Sequence, residues 1–317
     1  MTKKTENGLA TEPYKGVRDF YPEDMAVQNY IYDVWQEVSK RFGYKEYGAS
    51  ILEPAELYRQ KSGDELVNDQ MYVFSDKGGR EVALRPEMTP TLARMVAAKR
   101  KSLKFPLRWY SIPNLFRYER PQRGRRREHW QLNCDLLGVA GTEGDIEIIK
   151  LAYDVMKAFG AKDENFVIKI GSRKALTKQL VKRGVPYEHH KKVSQLIDKK
   201  GKMPEEERLA ELRKLGANFE ITESDDTAEI RRLLSQKGVA NTAFDAEIVR
   251  GFDYYTSMVF EVFDASPENR RSLFGGGRYD NLLDMFGVEP VPAVGFGMGD
   301  VTIRDFLTTH NLPLSKH

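Results

Sequence analysis

The runs LRWYSIPNLFRYER, residues 107–120, and HWQLNCDLLGV, residues 129–139, constrain the fold more than any other part of this sequence. Both read as strands, and a short, very basic loop joins them. The run YYTSMVFEVF at 254–263 is similar and leads to glycine-rich turns. The chain lacks the regular βαβ alternation of a parallel sheet. The expected fold class is therefore α+β, a sheet of long antiparallel strands flanked by helices.

The helices announce themselves by spacing. Met25, Ile31, Val34, Trp35, Val38 and Phe42 recur at helical intervals, and Gly43 ends the pattern. YKEYGASILEP, ending at Pro54, reads as a strand after that helix. Val82–Leu84 reads as a strand that gives way to a helix after Pro90. Thr142 to Phe159 reads as a helix with Asp145 and Glu147 in its first turn, where carboxylates favour the dipole. Residues 171–245 are rich in lysine and glutamate, with apolar residues at spacings of three and four, so a small, mostly helical insertion is expected there. VPAVGFGMGDVTIRDFL reads as strand, then helix.

Composition closes off several function classes. At 40% hydrophobic and 31% charged residues, the 317-residue chain reads as soluble and globular, not disordered. A net charge of +3 says little about partners. The single cysteine, Cys134, excludes an internal disulfide, argues against a cysteine-based zinc site and suits a reducing, cytoplasmic setting. No apolar run approaches the roughly 20 residues that span a bilayer, so no membrane partner is expected. The Walker phosphate loop is absent, so nucleotide chemistry must use other groups. The five histidines form no metal-ligand pattern, metal ligands stay unassigned, and His189 and His190 read as surface residues of the insertion.

Five segments carry chemistry. FRYERPQRGRRREHWQLNCD, Phe116 to Asp135, holds Arg117, Arg120, Arg123, Arg125, Arg126 and Arg127. Planar guanidinium groups suit phosphate oxygens, and the interleaved Tyr118, His129 and Trp130 offer flat surfaces for a base. A solvated hairpin tip is the ordinary alternative. Arg117 and Glu119 weigh against it, because they alternate with Phe116 and Tyr118 in what reads as an apolar strand, where unpaired charge is costly. In LRPEMTP, Glu87 and Thr89 sit at a strand-to-helix junction, where a carboxylate could hold an amine or simply cap the helix. In VRGFDYYTSMVFEVF, Arg250 and Asp253 could be a structural ion pair. Tyr254 and Tyr255 should face opposite ways if extended, which sends one into the core. FGGGRYDNLL allows close backbone approach to a ligand or a tight turn. In VGFGMGD, Gly295, Gly297 and Gly299 alternate, leaving one strand face bare for a flat ligand or for a packed helix.

Taken in order, these segments resemble the signatures of the histidyl-tRNA synthetase family, class II aminoacyl-tRNA synthetases. KGVRDFYPEDM with the Pro54 region is similar to the family's start and motif one, LRPEMT to its histidine-recognition segment, and the arginine-rich stretch to motif two. RGFDYYTSMVFEVF and FGGGRYDNLL resemble its two histidine-specific motifs, and VGFGMGD the start of motif three. The resemblance spans roughly residues 14–308 outside the insertion. It implies a class II catalytic domain at 14–170 and 246–317, while residues 1–13 read as a disordered arm and 171–245 as the helical insertion.

The resemblance also implies roles. Arg117 and Arg250 would be catalytic cations on the α-phosphate of ATP. Glu119 would read the adenine amino group and His129 would stack on the base, with Gly297 and Gly299 beneath the nucleotide. Arg125 and Arg127 would hold the outer phosphates or the RNA acceptor stem. Glu87, Thr89, Gln131 and Asp135 would surround the substrate's α-amino group, and Tyr254, Tyr255 and Tyr279 would line the histidine side-chain pocket. ATP is implied as a substrate with Mg²⁺, L-histidine and tRNA-His as partners, and a homodimer through motif one.

Two departures qualify this. Motif three usually carries an arginine in Gly-Leu-Glu-Arg, whereas here Asp300, Val301 and Thr302 follow Gly299, and Arg304 falls on another helix face. The family also continues into a C-terminal anticodon-binding domain, and this sequence ends at His317. A rival with the same fold is the regulatory subunit of ATP phosphoribosyltransferase, a non-catalytic histidine sensor. The RGFDYY segment and the arginine-dense motif two oppose it. A plain nucleic-acid-binding module explains the basic loop but not the acidic and aromatic positions.

Overall fold

The computed structural model describes residues 9, 11–60, 62, 66–200, 203–248, 254–269 and 272–315. Helix α1 spans Pro22–Arg41; Pro22 opens it, and Gly43, at φ +78°, stops it. YKEYGASILEP yields two short strands in different sheets: β1 (Lys45–Glu46) and β2 (Leu52–Pro54). Then come α2 (Glu56–Arg59), β3 (Tyr72–Ser75), β4 (Glu81–Leu84) and α3 (Thr89–Ala98). Helix α3 starts one residue before Pro90, and neither Glu87 nor Thr89 caps it, since Met88 holds the cap position without a side-chain bond.

The basic segment lies between β5 (Leu107–Ser111) with β6 (Asn114–Phe116) and the long β7 (Glu128–Leu137). Strand β6 ends at Phe116, so Arg117 and Glu119 lie beyond it. Helix α4 (Thr142–Ala158) has Glu143 and Asp145 in its first turn; Glu147 falls a turn later and pairs with Arg108 at 2.8 Å. The chain continues through β8 (Phe166–Ser172), α5 (Arg173–Lys182), α6 (Tyr187–Asp198), α7 (Glu205–Lys214), α8 (Asp225–Gln236), β9 (Thr242–Phe244), β10 (Met258–Asp264), β11 (Ser272–Arg278), β12 (Ala293–Gly299) and α9 (Asp300–Thr309).

The main sheet runs β1-β5-β7-β12-β11-β10-β8-β9, with β6 also on β7. Pairing is parallel only at its two ends, β1 with β5 and β8 with β9, and antiparallel between, as the strand-loop-strand pattern implies. Period two then sorts every side chain. Leu132, Cys134, Leu136, Val294, Phe296, Met298, Phe260 and Val262 join the core under α1, α4 and α9, against Trp35, Ile149, Phe306 and their neighbours. A small sheet, β2-β4-β3, stands beside it.

Packing divides the stretch 171–245. Helices α5, α6 and α7 share their own core around Leu176, Leu180, Val193, Leu196 and Leu212. Ile230 and Leu234 of α8 belong to the main core, and β9 extends the main sheet. His190 is buried, with its Nε2 at 3.0 Å from the Val185 carbonyl, which corrects its expected surface position.

Candidate active site

The face of the sheet opposite the main core carries the candidate site. On β7, period two places His129, Gln131, Asn133 and Asp135 on that face. Across β12 they meet glycines: Gln131 pairs with Gly299, Asn133 with Gly297 and Asp135 with Gly295. The next strand repeats the motif, with Gly297 opposite Gly275 and Gly295 opposite Gly277. The result is a bare backbone floor two strands wide. Two of its glycines, Gly295 and Gly297, are needed sterically. A Cβ on Gly295 would lie 2.4 Å from Asp135 Oδ1, and one on Gly297 would lie 2.4 Å from Gln131 Nε2.

One cavity stands on this floor. Glu87, Thr89, Arg117, Gln131, Asp135, Tyr254, Tyr255, Tyr279, Gly295 and Gly297 line it, so most of the expected site residues converge. Met88, Asn133, Gly275 and Phe296 line it too. Asn133 carries a signal that was legible: it sits at the same two-residue interval as Gln131 and Asp135. Ser62 carries none. Its Oγ donates to Glu87 Oε1, while Tyr254 Oη donates to Glu87 Oε2 at 3.1 Å.

Tyr254 and Tyr255 do not divide between core and site. Strand β10 begins only at Met258, so the alternation of extended backbone does not reach them. Both rings enter the cavity, their centroids 4.8 Å apart, and Tyr279 meets Tyr254 edge-on at 5.8 Å. Tyr279 Oη donates to Asp135.

Burial governs the charges. It pushes the Asp135 carboxyl up to about 7, against the opposing hydrogen bond from Tyr279. It raises Glu87 as well, against the bond from Ser62, the nearby Arg117 charge and the bond from Tyr254. His129 is pulled down to about 3 by burial, then by Arg117 and Arg18, so its ring is neutral.

Beyond the cavity the arginines separate by role. Arg117 Nε donates to the Pro86 carbonyl at 2.9 Å, which aims its guanidinium along the cavity wall. Arg125 pairs with Glu119 at 3.2 Å, joining two candidate nucleotide contacts. Arg127, expected at the outer phosphates or the RNA acceptor stem, packs inward in this structure. It is buried, its guanidinium 3.9 Å from the Tyr118 ring centroid, with Nη1 donating to Tyr14 Oη at 2.9 Å and Nε to the Glu119 carbonyl at 3.2 Å. Arg123 is tied to Asp305 at 3.0 Å. Arg120 and Arg126 are exposed. Arg250 and Asp253 lie outside the described residues, as does most of the expected arm at 1–13.

Comparison with known proteins identifies the family. The family model for histidyl-tRNA synthetase matches residues 16–224 and 172–301. A histidine–tRNA ligase of Leptospira biflexa is 46% identical, over 97% of this chain and 76% of the relative. The chloroplastic/mitochondrial histidine–tRNA ligase of Arabidopsis thaliana is 40% identical, over 96% and 67%. Among solved structures, apo histidyl-tRNA synthetase of S. aureus superposes with a TM-score of 0.70 at 23% identity, covering 95% of this chain and 71% of that one. A Bacillus halodurans protein described as an ATP phosphoribosyltransferase regulatory subunit/histidyl-tRNA synthetase gives 0.77 at 24% identity, covering 94% and 83%. At those identities the two structures speak for the fold alone.

Proposed function

The chain belongs to the histidyl-tRNA synthetase family, and on that premise we propose that it is a histidine–tRNA ligase. It activates L-histidine with ATP and passes the histidyl group to the 3′ end of tRNA-His. The observation that carries this reading is one cavity in which two buried carboxyl groups, an arginine and three tyrosine rings stand on a glycine floor. The regulatory-paralogue reading has less support, because the relatives at 46% and 40% identity are named as ligases.

In the first step a carboxylate oxygen of histidine attacks the α-phosphorus, and the bond to diphosphate breaks. This chemistry needs positioning and charge neutralisation more than a protein nucleophile. Arg117 supplies a cation from the cavity wall and Arg250 a second. Glu87 receives the substrate's ammonium; a cation there restores the carboxylate that burial disfavours. Asp135, which the resemblance set in the neighbourhood of the α-amino group, is bonded to Tyr279 of the side-chain pocket, and we assign it to the imidazole. A carboxyl that titrates near 7 shares a proton with a group of about the same pKa. A side chain without ring nitrogens would add no partner to the bond that Tyr279 already gives this buried carboxyl, which is a basis for rejection.

The remaining assignments are of the same standing. Gln131 and Thr89 complete the amino-acid end, and Glu119, His129, Gly297 and Gly299 form the adenine end. Mg²⁺ enters on the ATP phosphates as part of the substrate. Arg120, Arg125 and Arg126 form the exposed basic edge for the RNA acceptor stem. The helical unit α5–α7 is a separate module beside a catalytic body that includes α8 and β9. A homodimer forms through the small sheet. There Leu52, Leu84 and Tyr72, then Pro54, Val82 and Phe74, align on one face, with Leu52 and Phe74 still 43% and 46% exposed. A cytoplasmic setting suits the buried free Cys134, and no described helix is long and apolar enough to cross a membrane.

Histidine-dependent exchange of pyrophosphate into ATP tests the reading. Exchange is expected with histidine and not with other amino acids. Arg250→Ala should lower it about a hundredfold or more, as loss of a preorganised donor does, without moving the melting curve. Histidine binding with no exchange at any protein concentration would transfer the chain to the regulatory class.

A further inference from the structure

A buried polar cluster lies behind the adenine end of the site, and the steps above do not use it. Asp300, the first residue of α9, is wholly buried. Its Oδ2 accepts from Arg18 Nη2 at 2.6 Å and from Gln28 Nε2 at 3.0 Å. Its Oδ1 accepts from the backbone N–H of Trp130 at 3.0 Å. The Arg18 guanidinium lies 4.9 Å from the centroid of the Phe20 ring, and Phe20 meets Trp130 edge-on at 5.3 Å. One carboxylate thus ties the segment 18–20, α1, β7 and α9 together.

A carboxylate this deep is costly unless donors surround it. Each of the three donors lies more than 100 residues from Asp300 along the chain, 282 for Arg18, 272 for Gln28 and 170 for Trp130. What the cluster grips is specific. Trp130 follows His129 in the chain, and Asp300 follows Gly299. Those two predecessors are the adenine-end residues, and they are neighbours: a Cβ on Gly299 would lie 3.9 Å from His129 Cδ2. Each is therefore held one peptide away from a bond to the same carboxylate. Arg18 also stands, after burial and Arg117, among the causes that keep the His129 ring neutral. Arg304, in the helix where motif three would carry its arginine, is committed elsewhere: it pairs with Asp24 at 2.8 Å and braces α9 against α1.

We propose that Arg18 and Asp300 are positioning residues for the adenine end of the ATP site, fixing His129 against Gly299 by clamping Trp130 to the start of α9. The proposal rests on the ligase reading. It assigns the amino-terminal segment a part in nucleotide binding that its distance in sequence conceals.

The test uses the full chain with Arg18→Met, Arg18→Lys and Asp300→Asn. Pyrophosphate exchange gives KM for ATP and for histidine, and calorimetry gives the affinities for adenosine and for histidinol. Loss of a charge-assisted bond predicts a rise of roughly ten- to a hundredfold in KM for ATP and in the adenosine Kd for Arg18→Met and Asp300→Asn. KM for histidine and the histidinol Kd should not move. Arg18→Lys, which keeps a cation within reach of Asp300, should recover most of the loss. Equal losses for both substrates would reduce the cluster to a fold element and overturn the proposal, and so would unchanged adenosine binding in a folded Arg18→Met protein. Should Asp300→Asn not fold, the two Arg18 variants, altered at a side chain 16% exposed, decide alone. Absence of exchange in the unaltered protein would sink the ligase reading instead, leaving the adenosine measurement to judge the clamp.

Discussion

Replacing Asp135 with asparagine should stabilise the protein at alkaline pH while abolishing its use of histidine. Burial raises the Asp135 carboxyl from 3.8 to about 7 in the folded protein. Between those values the native state keeps a proton that the unfolded chain has released. Stability therefore falls as pH rises through that window and is level above it. From pH 5 to pH 7 each step of one costs about 1.4 kcal/mol, so the unaltered protein should lose about 3 kcal/mol that the variant does not lose. Asparagine retains an acceptor for Tyr279, so the comparison isolates the charge. The assay is urea and thermal unfolding of both proteins at pH 5 and pH 8. The stability gap in favour of Asp135→Asn should widen by about 3 kcal/mol between the two. A gap that stays constant would mean that the carboxylate ionises normally inside the protein, and the account of the pocket as a proton-sharing site for imidazole would fall.

Gly295→Ala should cost about 1–3 kcal/mol as overpacking, because its Cβ would press on the Cys134 carbonyl at 2.7 Å and on Asp135 Oδ1 at 2.4 Å; an unchanged melting temperature would contradict the close-packed floor. Arg127→Ala should lower the melting temperature and leave RNA binding nearly intact, since its guanidinium is spent on Tyr14 and Tyr118. Arg125→Ala and Arg126→Ala should do the reverse, each reducing the slope of RNA affinity against salt by about 1; a filter-binding salt titration that ranks Arg127 with them would restore it to the RNA edge.

Local periodicity determined much of this protein from the sequence alone. The 3.6-residue spacing from Met25 to Phe42 marks α1, and the strand-loop-strand run from Leu107 to Val139 marks the antiparallel centre of the sheet. The alternating glycines at 295, 297 and 299 form the floor that their spacing implies, with Gln131 and Asp135 across from them. Such signals are legible because a helix or strand repeats within a few residues, so each side chain's face follows from its neighbours. The tertiary structure alone decided which partner a charge finds. Arg127 turns inward because Tyr14 and the Gly16 carbonyl, more than a hundred residues earlier, close over it. Tyr254 and Tyr255 share a cavity because the turn before β10 breaks the extended alternation. Helix α8 leaves the helical unit for the main core because Ile230 and Leu234 find apolar surface there. Asp300 reads as one acidic residue at a helix start until Arg18, Gln28 and Trp130 meet on it. A charge in a sequence carries no record of its partner, and burying it is affordable only where the folded chain brings the donors together.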